Sequence, residues 1–418
     1  MATATSTPVP AAPSIGRPAL TSRLLQHRLL LLAVVGAAFG AVTSLLLTAV
    51  AQDAVLFADA AQQLLTGSGT EVFTDSRLQV GPVYLLAIAP LAALAGALGT
   101  SGPLLVAMAC SAAVGVAVAL LVRRLVRRPS PAHELAAGLA VVCSVPLHVI
   151  SMGGHFEELA TVLLLVAAGL LARSGHGRAA AVLVGLAAGC KLWGLLGVPV
   201  LLLDGAPLVA AWRTQLLRCR RTGLAVATVG AAYAPFVLLS HVATFEHSWL
   251  VAHPSPFALV AAGSEFSFGL RVVQGAFAVT VGALLATTGP ARALDRVWIV
   301  PAGVCLSRLL LDPFLQDYYL APVLVCAAVG LWARAARGED DVSVVVLATA
   351  AAPLLLASTF VASGPVGAAW CAALLLGLLG ALWRVDAVCA QASKVRRASG
   401  ASTPQPMSCS VSATGEAS

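Results

Sequence analysis

Long apolar stretches alternate with short polar connections along nearly the whole sequence. The apolar runs are roughly 15 to 22 residues long, the length that carries a helix across a hydrocarbon core. Candidate spans fall near residues 29–51, 103–122, 135–150, 158–172, 178–190, 192–204, 222–240, 270–288, 297–311, 319–333, 342–361 and 366–383. The pattern predicts an all-α, polytopic transmembrane helical bundle of about twelve spans. The chain divides into a disordered tail over 1–28, a transmembrane domain over 29–385 and a second tail over 386–418. Its two large outer loops are 52–102 and 241–269. Ala49-Val50-Ala51 has the form of a signal-peptidase site, but the stretch before it is a full span and is expected to be retained.

One further apolar run, Gly81 to Leu98, decides the topology. If it crosses, Arg123, Arg124, Arg127 and Arg128 fall outside, and so do Arg213, Arg218, Arg220 and Arg221. If it lies along the outer surface as a juxtamembrane helix, all of the 25 Lys and Arg are cytosolic except Arg77, Lys191, Arg271 and Arg308. Positive loops stay inside, so the second choice is preferred and both termini are cytoplasmic. Ten of the 18 acids then lie outside: Asp53, Asp59, Glu71, Asp75, Glu157, Glu158, Glu246, Glu265, Asp312 and Asp317. Acids at the outer ends of separate helices, with a few cations among them, predict a polar site at the outer surface.

Composition sharpens this. Hydrophobic residues make up 59% and charged residues 10%, more apolar surface than a soluble interior can hide. The net charge of +7 sits in clusters between spans, so it reports topology and not nucleic-acid binding. Two Lys against 23 Arg, with abundant Ala and Gly, suggest a GC-rich bacterial genome. Cys110, Cys143, Cys190, Cys305, Cys326 and Cys371 lie inside apolar runs without zinc or redox spacing and read as small packing residues. No HExxH, Walker or GxSxG motif is present, which argues against a metalloprotease, an ATPase or a serine hydrolase.

Four outer segments carry candidate chemistry. In Asp53 to Gly67, helix formers place Leu56, Phe57, Ala60 and Leu64 on one face, with Asp53 at the helix start. Gly153-Gly154-His155-Phe156-Glu157-Glu158 puts an acidic pair in the first turn of a span. Lys191 interrupts an apolar stretch, where a lysine must snorkel or meet an anion. Arg308 precedes Asp312 and Tyr318-Tyr319, and its guanidinium suits phosphate or an Asp312 pair. The loop after the seventh candidate span adds His241, Glu246, His247, Trp249, His253 and Glu265, a mixture suited to sugar binding.

Asp53, Phe57-Ala58-Asp59, Leu65 and Gly67, directly after a first span, resemble the first outer loop of the GT-C glycosyltransferases. Within them the likeness is to the bacterial polyprenyl-phosphate-mannose-dependent mannosyltransferases. Leu78 to Leu85 stands where relatives carry a Pro-Pro turn, Gly185 to Trp193 resembles their Gly-Leu-Ala…Lys segment, and Ser307 to Pro322 resembles their basic residue before a Tyr-Tyr-Leu start. Three departures are visible: Ala54 replaces a second acid, the second-loop acid is Glu, and the Pro-Pro turn is reduced to Gly81-Pro82. The resemblance implies a GT-C-like fold and transfer of a sugar, with mannose the first candidate, from a polyprenyl-phosphate-linked donor to a lipid or glycan acceptor. Transfer would take place at the outer face of the plasma membrane. It makes Asp53 the catalytic base and places Asp59, His155, Glu157, Glu158, Lys191, Arg308, Tyr318 and Tyr319 around the substrate. No cofactor is required, although a divalent cation can be accommodated, and no nucleic acid takes part. The competing expectation is a twelve-span secondary transporter of a small polar solute, whose ionisable residues would sit near the bilayer midplane.

Overall fold

The computed structural model describes residues 25–46 and 52–398 apart from short breaks at 67, 127–129, 145–146, 149, 151–152, 207–208, 210, 247, 289–291 and 358–363. Most of both tails, Ala49-Val50-Ala51, Gly67 and His247 lie outside these described residues. The apolar runs fold as helices. The segment that follows α1 (Arg28–Leu46) contains α2 (Gln52–Gln63) and α3 (Pro82–Ala97). Next come α4 (Gly102–Leu125), α5 (Pro131–Val142), α6 (Phe156–Arg173) and α7 (Gly177–Cys190). A 3-10 segment over Leu192–Asp204 leads to α8 (Trp212–Leu239), then α9 (Phe268–Thr287) and α10 (Arg296–Leu310). The chain closes with α11 (Ala321–Ala336), α12 (Val342–Ala357) and α13 (Gly364–Ala398).

Among the described residues, six segments are long and apolar enough to cross a membrane: α1, α4, α8, α9, Tyr318–Ala336 and the first part of α13. Their outward faces are apolar too. Val34 and Leu45 of α1, Leu238 of α8 and Val273 of α9 are all exposed, an arrangement that water would penalise and lipid would not. The chain is a membrane-embedded, multi-pass helical protein.

Packing follows small residues. On α1, Leu32, Gly36, Gly40 and Thr43 form one buried stripe against α4. A Cβ at Gly40 would strike the Ala107 carbonyl, so only glycine permits this approach. The centre is built from α6, α7, α10 and α11, whose burial is the densest: Val162, Val184, Val300 and Val329 are each fully buried.

Three expected segments differ. The run 135–150 is not one helix: the first ends at Val142, and Leu147, His148 and Ile150 are helical again beyond Pro146, whose ring disfavours helix in the residue before it and removes a backbone donor. The stretch after Lys191 is 3-10, not α-helical: Pro199 lies inside it, and its glycines press against Ala187 and Leu165. Residues 386–398 continue α13 instead of opening a tail, since no Gly or Pro interrupts the Ala- and Val-rich sequence there.

Candidate functional site

The site begins with α2. Its buried face is Ala54, Phe57, Ala58, Ala60 and Ala61, which packs on α3 and α4 and leaves Asp53 in the first turn. The loop before α6 presses on that turn. Gly154 has φ +78°, and a Cβ there would lie 2.6 Å from the Ala54 Cα, so a side chain would force loop and helix apart. The Tyr84 hydroxyl of α3 donates to the Gly154 carbonyl at 3.1 Å and fixes the loop from the other side.

His155, held by that loop, is the centre of a charged chain. Its Nε2 lies 3.1 Å from Asp53 Oδ2 and its Nδ1 2.9 Å from Glu157 Oε1. Tyr318 stacks on the ring at 3.9 Å with 11° between planes, and Phe57 meets it edge-on at 5.3 Å. The same Glu157 oxygen accepts from Lys191 Nζ at 2.8 Å, and Lys191 also lies 3.3 Å from Glu158 Oε1. Glu158 Oε2 accepts from the Trp193 indole at 2.7 Å and faces Arg308 Nη1 at 3.7 Å. Arg308 reaches Asp312 Oδ2 at 3.3 Å, with its guanidinium 5.2 Å from the Trp193 ring centre and 5.0 Å from that of Tyr319. The Gln274 amide donates to the Arg308 carbonyl at 3.0 Å and closes the chain from α9.

This chain lines one side of a cavity of about 590 Å³, bordered by Asp53, His155, Lys191, Arg308, Tyr318 and Tyr319, with Trp249, Arg271 and Arg77 across it. Such a volume suits a small-molecule ligand. Glu157 and Glu158 are fully buried and do not border the cavity; they stand behind the cations. A buried carboxylate needs a partner, and each has one or more. The result is two cations, Lys191 and Arg308, that are neutralised from behind and reach the cavity with side chains only 11% and 12% exposed.

Electrostatics divide the groups. The hydrogen bond from His155, outweighing partial burial, holds the Asp53 carboxyl below its ordinary range. Burial pulls His155 down, but the Glu157 charge and the hydrogen bonds with Asp53 and Glu157 outweigh it, and the imidazole ends above its ordinary value. Burial raises Asp312, and the nearby Arg308 offsets that only in part.

The structure thus gathers Asp53, His155, Glu157, Glu158, Lys191, Arg308, Tyr318 and Tyr319 from five separate parts of the chain. Asp59 is exposed and does not border the cavity. His241 pairs with Glu246 at 2.7 Å on the surface. Sequence reasoning did not give roles to Trp193, Gln274 or Asp312 beyond pairing. The available signal was an indole and an amide in otherwise apolar helical stretches, where each polar hydrogen needs a partner. Among the described residues, no three His, Cys, Asp or Glu gather as a metal-binding group.

No family model, curated protein or solved structure matches the chain.

Proposed function

We propose that this protein is an inverting glycosyltransferase of GT-C type, with about twelve spans and both termini in the cytoplasm. It takes a sugar, with mannose the first candidate, from a polyprenyl-phosphate donor at the outer face of the plasma membrane and delivers it to a cell-envelope lipid or glycan. The observation that carries this reading is the junction of two unlike spaces. The polar cavity shares Leu192 and Tyr233 with an apolar groove of about 530 Å³ between the 3-10 segment and α8. An anionic head beside Lys191 and Arg308, with a hydrocarbon tail in the groove, matches an isoprenoid phosphate and no simple polar solute.

The chemistry follows from the groups present. Asp53 accepts the proton of the acceptor hydroxyl as that oxygen attacks the anomeric carbon. The bond from that carbon to the phosphate oxygen breaks, and its electron pair leaves on polyprenyl phosphate. Lys191 and Arg308 stabilise the second negative charge the phosphate gains. Glu157 and Glu158 hold those cations in place, and Tyr318 and Tyr319 wall the sugar.

The outer position of α3 is supported at both of its ends. Gly81 donates to the Cys190 carbonyl at 2.7 Å beside Lys191, while Gly102, just past its far end, lies against Ala58 of α2. A helix that crossed the bilayer could not keep both ends beside the first outer segment. Cysteines at 77 and 100 in a cysteine-free background should be labelled from the same, outer side; a cytosolic position 100 would overturn the topology.

The direct test is purified protein in lipid with a panel of radiolabelled polyprenyl-phosphate sugars. Label should pass to an envelope acceptor. Solute uptake into proteoliposomes with no transfer would support the transporter instead.

A further inference from the structure

His155 touches Asp53 on one side and Glu157 on the other, and so stands between α2 and the buried ion pairs. We infer that His155 is a fixed imidazolium, a positioning residue that orients Asp53 and keeps it ionised, and that Glu157 ties this base to Lys191 as one unit. The chemical role of this unit rests on the glycosyltransfer reading; the protonation state does not.

The argument is one of donors and acceptors. Glu157 Oε1 receives both His155 Nδ1 and Lys191 Nζ, and an oxygen shared with an ammonium belongs to an ionised carboxylate. A carboxylate only accepts, so Nδ1 carries a hydrogen. On the other side Nε2 faces Asp53 Oδ2, whose carboxyl also has a strong donor to favour its charge, so Nε2 carries a hydrogen too. A neutral imidazole could satisfy one of these contacts and would set two lone pairs against each other in the other. The rest of the surroundings agree. Tyr318 offers its ring face to the imidazolium and Phe57 stands at its edge. The charged or titratable groups facing it are Asp53 from α2, Glu157 from its own helix, Lys191 from the end of α7, Tyr318 from before α11 and, beyond the Gly154 carbonyl, Tyr84 from α3. Two acids outweigh the one cation, which is why burial does not strip the proton.

The consequence for the site is specific. One Asp53 oxygen is occupied by His155, and among the described residues nothing else bonds the carboxylate, so its other oxygen is left for the acceptor hydroxyl. The imidazolium makes Asp53 a weaker base but a better oriented one. That balance suits a reaction whose leaving group departs as a stable anion. It also links the two halves of the site, because the carboxylate that fixes the imidazolium is the one that holds Lys191 toward the donor phosphate.

The test is ¹⁵N NMR of histidine-labelled full-length protein in nanodiscs, without substrate. The chain has eight histidines, and the signal absent from His155→Gln identifies the one in question. Its titration midpoint should lie above the ordinary ~6.5 of histidine. Asp53→Asn and Glu157→Gln should each lower it by about one pH unit or more, the effect of removing one close opposite charge. Glu157→Gln also strips Lys191 of a partner and can cost folding, so the half-exposed Asp53→Asn is the deciding variant. A midpoint at or below the ordinary value, or one that Asp53→Asn leaves in place, would overturn the inference. In the transfer assay, His155→Gln should move the acid limb of the kcat/KM profile to higher pH, because Asp53 then needs a higher pH to ionise. An unmoved limb would overturn the positioning role. If wild-type protein transfers no sugar, the glycosyltransfer reading fails, and the NMR result still decides the state of His155.

Discussion

Two buried charge clusters occupy opposite ends of this bundle, and they are built differently. The one at the start of α10 and the end of α11 joins Asp295, Arg334, Arg337, Glu339, Asp340 and Arg292. Asp295 is fully buried, and each of its oxygens meets a guanidinium, at 2.7 Å from Arg334 and 2.6 Å from Arg337. Arg334 also meets Asp340 at 2.8 Å, and Arg337 meets Glu339 at 2.8 Å. None of these residues borders the cavity. In the site cluster the contacts around Arg308 are longer, 3.7 Å and 3.3 Å, and both Arg308 and Lys191 border the cavity. Burial of charge therefore does not mark a functional site by itself. A closed network ties loops together, whereas a network with cations supported from behind and open in front is ready for an anion.

Substitutions can break this contrast or sharpen it. The largest expected effect is on Asp53. Asp53→Asn keeps size and hydrogen bonding but removes basicity, so transfer should fall by about 10²- to 10⁴-fold with donor binding and expression retained, as followed by initial rates and donor titration. Near-wild-type turnover would reduce Asp53 to a residue of the helix start.

Next in size is the cluster around Asp295. Asp295→Asn leaves two arginines short of a partner and should cost about 3 kcal/mol of stability, seen as a lower unfolding midpoint in nanodiscs. A midpoint unchanged from wild type would mean that the remaining acids, Glu339 and Asp340, suffice.

Arg308 comes third. Losing a charge-assisted contact should weaken polyprenyl phosphate binding by roughly 1.5 to 3 kcal/mol in Arg308→Gln, with Arg308→Lys in between, because lysine supplies the charge without the fork. Equal affinities in all three proteins would leave Arg308 with Asp312 and Glu158 as its only purpose. The smallest effect belongs to Asp59→Asn. Its side chain is exposed and off the cavity, so transfer and stability should each stay within about 0.5 kcal/mol of wild type. A large loss of transfer would restore Asp59 to the substrate.

Much of this was legible in the sequence, for physical reasons. Helix positions follow from apolar run length, so α6, α9, α10 and α11 lie within a few residues of the expected spans. The acids at helix ends and the isolated cations Lys191 and Arg308 stand out because charge is costly beside lipid. The closing of these residues on one another was not legible. His155 meeting Asp53 across 102 positions depends on a glycine turn pressed against α2, and no periodicity reports that. Nor could the sequence tell that Glu157 and Glu158 stand behind the cations and not toward the cavity, since first-turn acids look alike whether they face solvent or a lysine. The 3-10 form of Leu192–Asp204 was equally hidden, because apolar composition does not distinguish it from an α-helix.

The most direct test of the contrast between the clusters reads two quantities from each of two variants. Polyprenyl phosphate affinity and unfolding midpoint are measured side by side on Arg308→Gln and Arg334→Gln in the same nanodiscs. Arg334→Gln should lower the midpoint and leave the affinity of the folded protein unchanged, while Arg308→Gln should lose affinity by about 10- to 150-fold whatever its midpoint. If Arg334→Gln weakens polyprenyl phosphate as much as Arg308→Gln does, or if Arg308→Gln binds like wild type, the cluster around Arg308 is not the anion site.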